Sequence, residues 1–361
     1  MVTMAERPPH DRPVRLGFVG TGHIARGAHL PALAELAREG AVELAACYDL
    51  DRSAAEGAAE TFSIRMVYDD YRTMIEHEPL DGLYLCIPPT VHTDVEFLAA
   101  ERGIALFCEK HQSLYINQVV AYERAIRAAG IISQVGFNFR YYPSADVVRD
   151  LLRGSTVCQV VVNLLSRSPY TRYWTARYEL CGGTIVENTI HTIDLLRYWL
   201  GDIASVSAVY AWGHRGETPD APNLPEAYAV TYRFASGVPA SINLSRSLTE
   251  SSVGRREVLL VSDGALIEWS PGRVVMDGQT FWEEASAGGG YGSHAAQDRA
   301  FVEALRTGDA TRTKSPYADA VNSLAAVLGA NISAEREGER VRMDDVVAGE
   351  DMWTPHEPIV P

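Results

Sequence analysis

Two short stretches of the chain carry side chains suited to moving a proton. The first is Cys108-Glu109-Lys110-His111, directly after the apolar run Ala105-Leu106-Phe107. A lysine at the carboxyl end of a buried strand faces the ligand side of an open sheet. Burial there lowers an ammonium pKa towards neutrality, where lysine can act as an acid–base group. Taken alone, the segment reads better as a surface ion pair of Glu109 with a neighbour. The second stretch runs from Gly182-Gly183-Thr184 to Asp194. Glu187, His191 and Asp194 follow at i, i+4 and i+7, so on one continuous helix they share a face. A histidine with an ordinary pKa near ~6.5 suits the handling of a hydroxyl proton. A lone helix histidine is, however, usually a satisfied core or surface residue. Thr184-x-x-Glu187 also has the form of a capping box, which would tie that carboxylate to the helix terminus. Both roles of Glu187 stay open.

A third stretch could hold a dinucleotide. The run Val14–Val19 feeds into Gly20-Thr21-Gly22-His23-Ile24-Ala25, and a helical pattern follows at once. In such a turn the first glycine permits the bend and the second admits a pyrophosphate to the backbone. The third small residue, here Ala25, lets helix pack on strand. Amides at the new helix N-terminus then face the phosphate charge, which makes Gly20, Gly22, His23 and Ile24 candidate cofactor contacts. Asp49 ends the next apolar run, roughly twenty-odd residues on, where a carboxylate would meet the ribose hydroxyls. Asp51 adds negative charge that disfavours a 2′-phosphate, so NAD is expected. Arg52 could accept that phosphate and leaves NADP open. A helix N-cap is the alternative role for Asp49.

The elements that must position these residues fall into two patterns. From Val14 to about Asn138, strand-like runs alternate with helices: Leu16–Val19, Val42–Tyr48, Leu83–Ile87 and Ala105–Cys108. That alternation predicts a parallel sheet with crossover helices. Beyond Asn138 come a long strand, Val157–Leu165, and a helix from Thr184 to Leu200. Consecutive strands follow at Ser205–Trp212, Ala227–Phe234, Val238–Ser245, Glu257–Val261 and Ala265–Trp269. Ser236-Gly237, Asp263-Gly264 and Asp277-Gly278 mark hairpin turns. The fold class expected is an α/β Rossmann domain over 14–138, then an α+β domain with an open, mostly antiparallel sheet over 139–342. Two closing helices are expected, about Ala295–Thr307 and about 317–337, the last free to pack back on the first domain. Gly288-Gly289-Gly290 is a candidate mobile loop. Residues 1–13, polar and proline-rich, are expected to be a disordered leader, and residues 343–361 a polar, extended tail.

Composition narrows the partners. The formal net charge is −15, from 32 basic and 47 acidic residues, with no basic cluster. Such a field repels nucleic acid and anionic membrane surfaces. No apolar stretch approaches the roughly 18 to 20 residues of a membrane span. Cys47, Cys86, Cys108, Cys158 and Cys181 show no C-x-x-C spacing. A reduced cytoplasmic setting and no metal are the economical expectations.

In this order and spacing, the motifs resemble the Gfo/Idh/MocA family of oxidoreductases. The glycine turn, a Glu-Lys-Pro-like motif at Glu109-Lys110 and the Gly-Gly helix with its acids and histidine carry the likeness. Gln134–Arg140 resembles the family's domain junction, and Ile87-Pro88-Pro89-Thr90-Val91-His92 resembles a nicotinamide-side loop. The resemblance implies hydride transfer between NAD(P) and a C–OH or C=O of a sugar, cyclitol or related polyol. It makes Lys110 the main acid–base group, His191 the second proton carrier, and Glu187 and Asp194 positioning carboxylates. Pro88, His92, Glu109 and Lys110 join the cofactor contacts. Arg140, Tyr141, Tyr173 and Trp174 are candidate substrate-side residues, with domain-interface packing as the alternative. A homodimer or homotetramer is implied by analogy. His111 stands where the family has proline, and Glu187 where it usually has aspartate. Two other readings remain open on the same fold: an imine or ketone reductase, and a non-catalytic dinucleotide-binding regulator.

Overall fold

The computed structural model describes residues 12–166, 173–212, 222–248, 254–284 and 292–355. Two compact units emerge. Among the described residues the first takes in 12–113, 118–141 and 292–320, and the second holds the remainder.

The first unit is built on six strands: β1 (Val14–Val19), β2 (Val42–Tyr48), β3 (Met66–Val67), β4 (Gly82–Leu85), β5 (Ala105–Cys108) and β6 (Ser133–Val135). All neighbours pair in parallel, in the order β3-β2-β1-β4-β5-β6. Parallel strands are buried on both faces, which is why these runs are nearly continuous in apolar residues. In-register pairing lines up Phe18, Tyr84 and Phe107 across β1, β4 and β5. Their rings stack at 4.9 Å and 4.5 Å. The helix Gly292–Thr307, from far along the chain, closes this row: Phe301 meets both Tyr84 and Phe107 edge-on at 5.6 Å.

The second unit is a nine-stranded sheet. Its strands are β7 (Val157–Leu165), β8 (Ile203–Ala211), β9 (Ala227–Phe234), β10 (Pro239–Ser245), β11 (Arg255–Ser262), β12 (Ala265–Ser270), β13 (Arg273–Met276), β14 (Gln279–Glu283) and β15 (Val341–Arg342). They lie in the order β14-β13-β12-β11-β7-β10-β9-β8-β15. Every pairing is antiparallel except β7 with β10. Strands such as β9 alternate buried and accessible residues, as a sheet with one covered face requires. The expected mostly antiparallel sheet is present. The parallel pair was not foreseen, because strands far apart in the chain meet at the sheet centre. Asp277-Gly278 does make a hairpin, flanked by β13 and β14.

Two expectations are corrected. The predicted helix from Thr184 to Leu200 is two helices, Gly183–Glu187 and Ile190–Leu200. The Thr184 carbonyl accepts from both Asn188 and Thr189, at 3.1 and 3.0 Å, which widens the turn and ends the first helix. Glu187 therefore does not share a continuous helix face with His191 and Asp194. The C-terminal stretch is not an extended tail either. β15 pairs with β8, the helix Met343–Ala348 follows, and Trp353 is only 1% exposed. The Trp353 indole donates to Glu335 at 2.7 Å and sits edge-on to Tyr178 at 5.5 Å. The glycine run 288–290 lies outside the described residues.

Removing this anchor leaves a cavity against Tyr178. Trp353→Ala should cost about 3–5 kcal/mol, read as a lower denaturant midpoint. An unchanged midpoint would mean that the C-terminal segment adds nothing to the fold.

Candidate active site

Because all strands of the first sheet are parallel, their carboxyl ends share one edge, where open α/β sheets bind ligands. Along that edge lie Asp49 after β2, the glycine turn after β1, Pro88 after β4 and Lys110 after β5. Gly20 has φ +90°, and a Cβ there would fall 2.4 Å from the Cys86 carbonyl oxygen. No other side chain fits. A Cβ at Gly22 would meet nothing within 4 Å, so the turn is open on that side. Thr21 donates to Asp49 through its amide at 2.7 Å and its hydroxyl at 3.2 Å. The cap of the following helix, Arg52–Phe62, is Asp51, which accepts from the Ser53 amide. Asp49 is thus not the N-cap. The Arg52 guanidinium is engaged by Glu56 at 2.8 Å and by Asp69. His23 is exposed and Ile24 half-buried at the start of the helix after the turn.

Lys110 is the first residue past Glu109, and Glu109 is held firmly. Its amide donates to the Leu85 carbonyl at 2.8 Å. Its carboxylate pairs with His29 Nε2 at 3.0 Å, while His29 Nδ1 pairs with Asp298 at 2.8 Å. Tyr84 also donates to Asp298, at 3.2 Å. Burial disfavours a charged imidazole, but Asp298 and Glu109 outweigh it and raise the His29 pKa to about 10. The shared proton stays on the imidazole, because two acids flank one base. The second Glu109 oxygen accepts from the Lys110 amide at 3.2 Å. Gly136 gives the carboxylate room: a Cβ there would lie 2.2 Å from Glu109 Oε1. Glu109 therefore pairs with a buried imidazole, not with a surface cation.

The Lys110–His111 peptide is cis. His111 is buried, and burial, then Lys110 and His92, hold its pKa well below the ordinary value. It is a neutral group. His92 is buried too, with Nδ1 on Glu96 at 2.6 Å. Cys108 lies with them, the three offering ligand-type atoms within 4.8 Å of one another. Burial pushes the Cys108 thiol well up, which keeps it protonated and a weak ligand.

In the second unit Glu187 and His191 flank the break between the two short helices. Glu187 lies 3.9 Å from Arg246, and the His191 amide donates to the Asn188 carbonyl at 3.4 Å. Thr184 lies inside its helix, one residue past the first position, so it is not the N-cap that a capping box needs. Asp194 is fully buried and accepts from Ser323 at 2.7 Å; Arg197 donates to that same hydroxyl at 2.6 Å. Tyr173 is 68% exposed under the Arg177 guanidinium, and Trp174 opens the short 3-10 helix Trp174–Ala176. In the first unit, Arg140 is buried, donating to the Lys314 carbonyl and to Asp319, both at 2.6 Å. Tyr141 is buried and donates to Gln134 at 2.7 Å. Lys110 belongs to the first unit, and Glu187 and His191 belong to the second.

Sequence reasoning missed His29, Asp298 and Gly136. A signal was present: His29 and Asp298 each interrupt the apolar side of a helix, the mark of a polar group that needs a buried partner.

The N-terminal family model, described as an oxidoreductase family with an NAD-binding Rossmann fold, matches residues 14–137. The GFO/IDH/MocA C-terminal domain matches residues 155–267. The chain belongs to the GFO/IDH/MocA oxidoreductase family. It is an NAD-binding oxidoreductase. An uncharacterized oxidoreductase of Bacillus subtilis, YrbE, is 26% identical over 251 residues, covering 67% of this chain and 70% of that protein. Inositol 2-dehydrogenase of Rhizobium meliloti is 28% identical over 253 residues, covering 68% and 72%. An oxidoreductase of Thermotoga maritima shares the fold with a TM-score of 0.80 at 20% identity, over 93% of this chain and 100% of that one.

The His29 lock has a pH signature. Its folded pKa of about 10 lies above the ordinary 6.5. Its stabilisation is therefore complete below pH 6.5 and is lost as pH rises through 10. His29→Gln should lose about 3–5 kcal/mol near neutrality, since two buried carboxylates then lack a cation. Thermal unfolding should show the gap to wild type shrinking towards pH 10. A gap independent of pH would refute a charged imidazole.

Proposed function

We propose that this protein oxidises a secondary hydroxyl of a sugar, cyclitol or related polyol, or reduces the matching ketone, with NAD as hydride partner. The observation that carries this is the order of groups on one sheet edge: a ribose-type carboxylate, a phosphate-type glycine turn, then a lysine. Asp49 to Lys110 spans three strand spacings, about 14 Å. Asp49 is the candidate holder of the ribose hydroxyls, Gly20, Gly22, His23 and Ile24 of the pyrophosphate. Pro88, His92 and Glu109 are candidates for the nicotinamide end. When bound, NAD supplies the hydride acceptor or donor.

The chain's own residues handle the proton. In the oxidising direction Lys110 Nζ takes the hydroxyl proton as the carbon-bound hydride leaves, and in the reducing direction it returns it. His191 is the second proton carrier. Glu187 orients His191 or holds a substrate hydroxyl, and Tyr173 and Trp174 offer polar-aromatic contacts to a polyol. Asp194 is a positioning residue: it anchors the His191-bearing helix through Ser323. Arg140 and Tyr141 act the same way, fixing the segment around Lys314.

Lys110→Ala and His191→Ala should each lower kcat about 10²–10⁴-fold, with absorbance of the reduced nicotinamide read against a panel of inositols, sugars and keto-sugars. Wild-type turnover surviving in both variants would sink these roles.

We also infer a homodimer or homotetramer in the cytoplasm. No described helix is long and apolar enough to cross a membrane, and all five cysteines are unpaired, which suits a reducing compartment. The exposed apolar side chains Val209, Leu266 and Phe281 sit on β8, β12 and β14 of the second sheet and would be covered by another copy. Light scattering on the purified chain should report two or four copies; a monomer at micromolar concentration would refute the assembly.

A further inference from the structure

Three side chains of different chemistry meet inside the first unit, at the carboxyl ends of β4 and β5. His92, Glu96 and Cys108 are all buried. Each offers one ligand-type atom, and these atoms lie within 4.8 Å of one another. The sheet explains the meeting. β5 pairs in parallel with β4, Cys108 opposite Leu85, so the loop after β4 starts beside the end of β5. That loop carries His92. Glu96 follows on the first turn of the helix Val95–Glu101, and its Oε1 stands 2.6 Å from His92 Nδ1.

The surrounding protein leaves this trio underserved. His92 Nε2 and Glu96 Oε2 have no hydrogen-bond partner among the described residues. Both ring nitrogens of His111 and the Tyr317 hydroxyl are buried without one as well. These two are neighbours of the trio: His111 interacts electrostatically with His92, and Tyr317 with Glu96 and Cys108. Buried polar groups are nearly always paired, so a cluster of unpaired ones calls for a ligand. A water alone would serve the nitrogens and oxygens but gain little from a thiol, a weak hydrogen-bonding group. Zinc uses all three, because nitrogen, oxygen and sulfur are its ordinary ligands, whereas magnesium and calcium take oxygen. Charge agrees with that choice. A thiolate and a carboxylate bring two negative charges, which a divalent ion cancels, and burial favours a neutral assembly. Zinc bonds of about 2.0–2.3 Å in a tetrahedron set ligand atoms roughly 3.3–3.8 Å apart. The observed separations, from 2.6 Å to within 4.8 Å, bracket that range, so small side-chain shifts close the site.

We propose that His92 Nδ1, one Glu96 oxygen and Cys108 Sγ bind a zinc ion that fastens the loop after β4 to the end of β5. The thiol keeps its hydrogen until zinc displaces it; the S–H bond then gives way to a sulfur–zinc bond, and the proton leaves to solvent. The imidazole hydrogen passes from Nδ1 to Nε2. A water completes the four-coordinate shell, held by the buried polar atoms of His111 and Tyr317. No proton step proposed above passes through this site, so the inference stands or falls apart from the substrate reading. The test produces the full chain in minimal medium with zinc or with cobalt(II) and measures retained metal by mass spectrometry after gel filtration. Wild type should keep about one zinc per chain, and the cobalt form should show a thiolate charge-transfer band with intense four-coordinate d–d bands. Cys108→Ala should lose the charge-transfer band, and Cys158→Ser should keep it. Glu96→Gln should bind zinc at least about 10-fold more weakly in competition with a chelator. If Cys108→Ala does not fold by circular dichroism, Glu96→Gln and Cys158→Ser carry the test. Wild type that retains no zinc, or that gives no thiolate band with cobalt, would overturn the site. So would a band that survives Cys108→Ala, a band lost in Cys158→Ser, or zinc affinity unchanged in Glu96→Gln.

Discussion

Two carboxylates buried side by side need a cation between them, and His29 is that cation. Glu109 comes from the end of β5, Asp298 from a helix near the chain's far end, and His29 from the helix after the glycine turn. One imidazolium thus ties together three segments that the sequence keeps widely separated. Tyr84 and Phe107 of the aromatic row pack against it, with Tyr84 also bonded to Asp298. The lock ends at the peptide of Lys110, so the backbone position of Lys110 is set by electrostatics in the core. Breaking a buried pair of this type costs more than the pair contributes, because the partner charge stays buried.

What was legible in the sequence was whatever is determined locally. Gly20 announces its own backbone conformation, and Asp49 and Lys110 each close an apolar run, so their edge of the sheet follows from topology. The alternation of strands and helices, then of strands alone, distinguished the two sheets. The surface-ion-pair reading of Glu109 gave way only once Glu109 proved to have a buried partner 80 residues away. No local pattern encodes that. The helix break at Asn188 escaped because a doubly used carbonyl leaves the apolar periodicity intact. By spacing Asp194 shares a helix face with His191, but its partner Ser323 comes from a distant helix that no local pattern names. The tail escaped for a similar reason: one tryptophan among polar residues anchors it, and periodicity has no means to register a single anchor.

The two units differ in how they treat charge. The first conceals it, burying His29, Glu109, Asp298, His92 and Glu96 in mutual hydrogen bonds. The second displays it, lining a cavity with arginines where the strands end. Concealed charge gives rigidity and is insensitive to salt; displayed charge gives selectivity and is screened by salt. A dinucleotide needs the first treatment, because its geometry must be held constant.

The β7–β11 register slips once, leaving Cys158 without a partner opposite it. That extra residue is the exposed cysteine; the other four thiols are buried, where burial slows their reaction with any reagent. Nature has left the folded chain with a single chemical handle. A maleimide-linked dye would attach at one place, in the strand at the middle of the second sheet, and oxidants would find the same atom first. The molecule comes ready for site-specific labelling with no cysteine to remove.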